Sequence, residues 1–195
     1  MKIGLYFGSF NPVHIGHCII ASHVCQAHSL DQVWLVVSPQ NPFKASKTLL
    51  NEYHRLHLVN LALEGSKKLK SSDIEFHLPR PSYTVDTLAY LSEKYPQHQF
   101  VIIMGSDSFE NLGKWKNAPV LIRQYSFLVF ERPGHPFANP LNVRAEQVKA
   151  PLLEISSTHI RQWISEGKSI QYLVPDAVRE EIESNGYYRN EAFKM

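Results

Sequence analysis

A chain of 195 residues with 44% apolar and 19% charged residues suits one folded domain that buries its core without disulfide or metal staples. Its formal net charge of +2, from scattered Lys and Arg residues, gives no support to a duplex-wrapping protein and fits a small anionic substrate. The two cysteines, Cys18 and Cys25, fall on one predicted helix, where seven residues rise about 10 Å, too far for a disulfide. They read as buried apolar fillers in a reducing compartment. No apolar run approaches the roughly 18 residues of a membrane span, and the N-terminus enters a strand directly, so a cytoplasmic protein is expected.

The chain opens with a strand-like run, Ile3–Phe7, followed by a predicted helix Ile15–Ala27 and a strand Gln32–Val37. A loop at 38–48, holding Pro39, Asn41, Pro42, Lys44 and Lys47, is longer than a simple connector. The helix Glu52–Leu63 carries Leu56, Val59 and Leu63 at helical spacing, with Asn51 as its N-cap. Then come a strand Ile74–Phe76, a helix Val85–Glu93, a strand Phe100–Met104, a short helix near Phe109 and a strand Phe127–Phe130. After a second long loop, 132–148, the pattern predicts a strand Leu152–Ile155 and a helix Ile160–Glu166. A last helix runs from Pro175 to Ser184, with Gly186 just past its end. Short apolar strands alternating with helices argue for an α/β, Rossmann-like, doubly wound parallel sheet with helices on both faces. The expected organisation is a single domain, 1–195, whose C-terminal helical part (about 156–190) packs on that sheet. Ligands of such sheets sit beyond the carboxyl ends of the strands, at the switch point.

Four segments carry chemistry. The first, Gly8-Ser9-Phe10-Asn11-Pro12-Val13-His14-Ile15-Gly16-His17, places two histidines three apart where strand gives way to helix. Unpaired N–H groups and positive partial charge at the helix start, with imidazoles added and a glycine admitting ligand to the backbone, suit phosphate oxygens. A zinc reading lacks the third and fourth ligands and any HExxH or CxxC companion. His23, His28, His98 and His135 read as structural or solvated. The second segment, Ile155-Ser156-Ser157-Thr158-His159-Ile160-Arg161, opens a helix with Ser156 or Ser157 as N-cap and sets Arg161 one turn beyond Ser157, a second phosphate corner. Two corners suggest a polyphosphate. In the third, Ser82-Tyr83-Thr84-Val85-Asp86-Thr87, Thr84 would cap a helix whose free N–H groups could hold a carboxylate. The fourth is Met104-Gly105-Ser106-Asp107 with Trp115 further on: Asp107 suits ribose hydroxyls or a helix cap, and Trp115 a core anchor or a stacking plate. Neither GxxxxGK[ST] nor GxGxxG occurs, which removes the P-loop and ordinary dinucleotide-fold readings.

Taken together, GSFNPVHIGH, ISSTHIR, SYTVDTL, GSDSFENLGKW and the Asn41-Pro42-Phe43-Lys44 loop resemble the nicotinate-mononucleotide adenylyltransferases of the HxGH nucleotidyltransferase superfamily, from Lys2 to about Val178. The resemblance implies the joining of ATP and nicotinate mononucleotide to give deamido-NAD and pyrophosphate, in NAD biosynthesis, with Mg²⁺ held mainly by the ATP phosphates. It implies that His14, His17 and Arg161 are catalytic and contact ATP together with Gly8, Ser9, Phe10, Gly105, Asp107, Ser156 and Ser157. Nicotinate mononucleotide would meet Ser9, Lys44, Tyr83, Thr84, Asp107 and Trp115. The implied partners are these two small molecules, with no nucleic acid and no membrane; the oligomeric state stays open. The chain departs from the family pattern at Asn11, where Asp is common, and at Lys116-Asn117-Ala118, where a histidine and a further aromatic are common. Pantetheine-phosphate adenylyltransferase shares both phosphate corners, but its substrate has neither the ring nor the carboxylate that Trp115 and the Tyr83-Thr84 helix start would serve. A non-catalytic nucleotide-sensing module is the alternative of another class, and pyrophosphate release on mixing with ATP distinguishes it.

Overall fold

In the computed structural model, which describes residues 1–39, 49–151 and 153–189, six strands form one sheet. They are β1 (Lys2–Gly8), β2 (Gln32–Val37), β3 (Leu69–Ser72), β4 (Gln99–Gly105), β5 (Ser126–Phe130) and β6 (Ala145–Val148). All pairs are parallel, in the order β3-β2-β1-β4-β5-β6. The helices are α1 (Ile15–Ala27), α2 (Glu52–Ala62), α3 (Thr84–Lys94), the single turn α4 (Ser106–Phe109), α5 (Ala118–Gln124), α6 (Ser157–Ser165) and α7 (Asp176–Asn185). The expected doubly wound α/β architecture is therefore present, with its switch point between β1 and β4.

The period of two along each strand divides the core into layers. Ile3 and Leu5 of β1 and Ile102 and Met104 of β4 pack with Leu88 and Leu91 of α3 and Leu121 of α5. Tyr6, Val101 and Ile103 face the other way, toward Ile20 and Val24 of α1, Leu58 and Val59 of α2, Ile160 and Ile164 of α6, and Val178 and Ile182 of α7. Burying one such aliphatic side chain stabilises by about 1.5–3 kcal/mol, against about 1 kcal/mol net for a hydrogen bond. Packing thus decides where α6 and α7 sit, and polar contacts set their fine register. Among the described residues no helix is long and apolar enough to cross a membrane, and Cys18 and Cys25 are free thiols.

Expectation and structure part at the sheet's edges. The segment Ile74–His77 is a 3-10 helix, and the strand lies upstream at Leu69–Ser72. Residues 153–155 join no ladder; the sixth strand is Ala145–Val148, inside the expected second loop. Both true edge strands are short and polar, LKSS and AEQV, because an edge strand has one neighbour and need not be apolar throughout. Helix α5 was not expected either. It follows Asn117 in a left-handed conformation and carries Pro119 in its first turn. Asn51 caps α2 by accepting from the Tyr53 N–H at 2.9 Å. Pro175 is the N-cap residue of α7, and Gly186 ends that helix with φ +64°.

One buried cation ties the first two strand–helix connections together. Arg55 of α2 is fully buried. Its guanidinium donates to the carbonyl oxygens of Leu50 (2.8 Å), Ser9 (2.5 Å), Ser38 (2.8 Å) and Pro39 (3.0 Å). Four carbonyl dipoles solvate the charge in place of water. Replacing Arg55 by Met leaves those carbonyls without a donor, and a loss of about 3–5 kcal/mol is expected in urea unfolding. A loss below about 1 kcal/mol would show that the loops hold without it.

Candidate active site

The carboxyl ends of β1, β4 and β5 open into a cleft of about 700 Å³, a size that accommodates a nucleotide-scale ligand. The first phosphate corner lines it. His14 is the N-cap residue of α1 with extended backbone, and its N–H donates to Nδ1 of His17 at 3.2 Å. The two imidazoles stack with centroids 3.6 Å apart, and Phe10 meets the His17 ring edge-on at 5.0 Å. Because Nδ1 of His17 accepts a hydrogen bond, its proton resides on Nε2, which makes that nitrogen a donor. His14 is 3% exposed, and burial, with the Arg132 charge adding to it, lowers its pKa to about 4. It is a neutral imidazole at pH 7, and its buried Nδ1 has no hydrogen-bond partner among the described residues.

The glycines of this corner serve side chains more than ligand. A Cβ on Gly16 would stand 3.0 Å from Cε1 and Nδ1 of His14, so Gly16 makes room for the imidazole. Gly8 lines the cleft and lies under the Phe10 ring, which is itself 1% exposed, so Phe10 supports His17 from within the core.

The second corner is fastened to the first across the whole length of the chain. Ser156 caps α6, accepting from the His159 N–H at 3.2 Å. Ser157 Oγ donates to the Pro12 carbonyl at 2.8 Å, and Arg161 Nη1 donates to the Asn11 carbonyl at 2.7 Å. Asn11 Oδ1 in turn accepts from the Leu50 N–H (3.2 Å) and from the Tyr188 hydroxyl (2.9 Å). An amide at position 11 thus serves as an acceptor hub for loop and C-terminal segment. His14, His17, Ser156, Ser157 and Arg161 all line the one cleft.

Across the cleft stand the start of α3 and the segment after β4. Tyr83, not Thr84, is the N-cap residue of α3, and it makes no side-chain cap bond. The hydroxyls that hold this turn come from Ser82 and Thr87, which donate to the Glu75 carboxylate at 2.8 and 3.0 Å. Glu75 is 2% exposed, and burial pushes its pKa up against the lowering effect of the hydroxyls of Ser82, Ser38 and Thr87. The α3 turn is therefore pinned from below, and its first backbone N–H groups have no partner within the helix. Trp115, half-buried against the second core layer, lines the same side. Gly105 closes β4, where a Cβ would come within 2.5 Å of Asp107 Oδ1 and 3.0 Å of Arg132 Cγ; glycine lets both side chains lie over the strand end. Asp107 and Arg132 are 4.0 Å apart.

Ser9, Tyr83, Thr84, Gly105, Asp107 and Trp115 line the cleft with the two corners, while Lys44 lies outside the described residues. The sequence reading missed Glu75, Arg132 and Lys116, which line it too. The charged residue inside the apolar run Ile74-Glu75-Phe76 was a usable signal for Glu75. Arg132 had a positional one, since it directly follows the end of β5 and its neighbour Glu131. Among the described residues no three of His, Cys, Asp and Glu gather as a metal-holding group. The cleft instead presents imidazole, hydroxyl, guanidinium and ammonium donors, a surface complementary to phosphate oxygens.

Comparison with known proteins agrees with this geometry. The model of the cytidylyltransferase-like family matches residues 5–163. A protein of Cytophaga hutchinsonii named probable nicotinate-nucleotide adenylyltransferase is 51% identical over 193 residues, covering 97% of this chain and all of that one. One of the same name from Flavobacterium psychrophilum is 50% identical over 194 residues, with the same coverage. In fold, the chain is similar to the Plasmodium falciparum nicotinic acid mononucleotide adenylyltransferase solved with NaAD, with a TM-score of 0.81 at 20% identity and coverage of 96% and 97% of the two chains. With sequence match, sheet order and double corner in agreement, the chain belongs to the nicotinate-nucleotide adenylyltransferases, within the cytidylyltransferase-like family.

Proposed function

We propose that the protein transfers the adenylyl group of ATP to nicotinate mononucleotide, forming deamido-NAD and releasing pyrophosphate. The observation that carries this reading is the joining of two phosphate-suited helix starts on one side of a single cleft, with an aromatic, carboxylate-suited helix start on the other. A phosphate oxygen of the mononucleotide attacks the α-phosphorus of ATP. The bond from that phosphorus to the oxygen bridging toward the β-phosphorus breaks, and pyrophosphate leaves. The attacking phosphate has a second pKa of about 6 and is already dianionic at neutral pH, so no general base is required.

Catalysis then consists of aligning two anions and stabilising charge that grows on the leaving group. Nε2–H of His17, the imidazole of His14 and the Arg161 guanidinium are the donors for the triphosphate, aided by Ser156, Ser157 and the backbone from Gly8 to Phe10. Asp107 and Gly105 sit between the halves and suit the nucleotide. Tyr83, Thr84 and Trp115 hold the pyridine ring and its carboxylate, and Ser9 lines the mononucleotide's part of the cleft. Neutral imidazoles are well matched to the triphosphate, because they donate hydrogen bonds without the repulsion two stacked imidazolium ions would suffer. Mg²⁺ fits the same site when carried by the phosphate oxygens, because the lining offers mostly donors and Glu75 is enclosed by hydroxyls. When bound, it supplies further neutralisation of triphosphate charge. Two unbridged thiols accord with a cytoplasmic setting.

Three outcomes are expected. His17→Ala lowers kcat by about 10²–10⁴ in a pyrophosphate-release assay while the variant stays folded; near-normal turnover would remove His17 from the site's chemistry. The acid mononucleotide is preferred over the amide in kcat/KM, since a helix start favours a carboxylate by about 0.3–2 kcal/mol, and parity or reversal would contradict the assignment. Acid titration tests the state of His14. Its folded pKa of about 4 lies below the ordinary 6.5, so the unfolded chain binds the extra proton first and stability falls as pH drops through that window. The stability difference between the parent and His14→Gln should shrink by about 2–4 kcal/mol from pH 7 to pH 4, and a constant difference would mean that His14 is not held neutral by burial.

A further inference from the structure

Lys116 lines the cleft, yet no role follows for it from the adenylyl-transfer chemistry. It leaves the segment after Trp115 and reaches across to the start of α3. There its Nζ lies 2.8 Å from Asp86 Oδ2 and 4.4 Å from the centroid of the Tyr83 ring. Both partners belong to the turn assigned to the pyridine carboxylate: Tyr83 is its N-cap residue, and Asp86 is the third residue of the helix. As a structural brace the contact is weak, because both side chains are nearly half exposed and such pairs add little to stability.

Its electrostatic consequence is larger than its structural one. A carboxylate in the first turn already occupies the field of the helix start, and left alone it would repel a second carboxylate placed at the Thr84 and Val85 N–H groups. The ammonium cancels that charge. It spends one of its three donors on Asp86 and rests against the face of Tyr83, the ring beside which the pyridine is placed. No other cation is hydrogen-bonded to Asp86 among the described residues.

We infer that Lys116 is a specificity-determining residue that favours the acid form of the pyridine nucleotide over the amide, by neutralising Asp86 and holding positive charge beside the Tyr83–Thr84 turn. The inference rests on the adenylyl-transfer reading and adds to it the source of its acid selectivity. An amide bears no net charge, so it gains little from Lys116 and loses little to an uncovered Asp86.

The test compares kcat/KM for nicotinate mononucleotide and nicotinamide mononucleotide in the parent, Lys116→Met, Lys116→Arg, and Lys116→Met combined with Asp86→Asn. In Lys116→Met the acid-to-amide ratio is expected to fall by roughly three- to tenfold, through a higher KM for the acid, as befits loss of a partly screened charge. Lys116→Arg retains the parent ratio, and Asp86→Asn added to Lys116→Met restores part of what was lost. The amide reaction reports folding within the same series, because a misfolded variant would lose both activities together. A Lys116→Met ratio within twofold of the parent's overturns the inference. A parent inactive on nicotinate mononucleotide would instead overturn the underlying reading, so the two failures are told apart.

Discussion

Two hydrogen bonds from one helix to two consecutive carbonyls hold this site together. Ser157 and Arg161 of α6 donate to Pro12 and Asn11, which lie about 150 residues earlier in the chain. A parallel sheet leaves its strand ends side by side but does not dictate how the helix starts above them are turned. These bonds do. They spend a hydroxyl and one edge of a guanidinium on the loop leading into α1, so the donors of both corners face one space. The burial of Ile160 and Ile164 brings α6 near, and the polar ties decide its orientation. Asn11 extends the arrangement through its side chain to Leu50 and Tyr188, so the loop before α2 and the C-terminal segment converge on the same peptide.

The division of labour within the cleft follows from which groups are charged. The imidazole corner is neutral: burial keeps His14 unprotonated, and His17 is committed by its accepting Nδ1 to donate from Nε2. Fixed positive charge comes from the guanidinium and ammonium groups that line the cleft. Under the proposed function, such a site would give directional hydrogen bonds to the triphosphate and diffuse neutralisation around it. It suits a reaction whose nucleophile arrives already ionised and whose main requirement is alignment.

Much of this was legible in the chain itself. The strands of the sheet's centre are apolar because both faces are covered, and Gln32–Val37 and Ile15–Ala27 agree with the sequence reading to the residue. The two corners were readable because histidine, serine and arginine at helix-start spacing have few other uses together. Edge strands were not, since Leu69–Ser72 and Ala145–Val148 need only one apolar face and look like loop. The use of Gly16 was not readable either, because the His14 ring it makes room for is placed by the fold. The roles of Glu75 and Arg55 were hidden for a common reason: their partners, hydroxyls and carbonyls from distant segments, leave no pattern in local sequence. A charged residue in a core-facing position can be noticed, but only the fold says what solvates it.

The proposed chemistry requires both helix starts to hold one triphosphate at once. A crystal structure with a non-hydrolysable ATP analogue tests this most directly. Phosphate oxygens are expected within hydrogen-bond distance of both the His17 imidazole and the Arg161 guanidinium in a single bound molecule. A triphosphate held by one corner alone, with the other corner's donors turned to solvent, would contradict it.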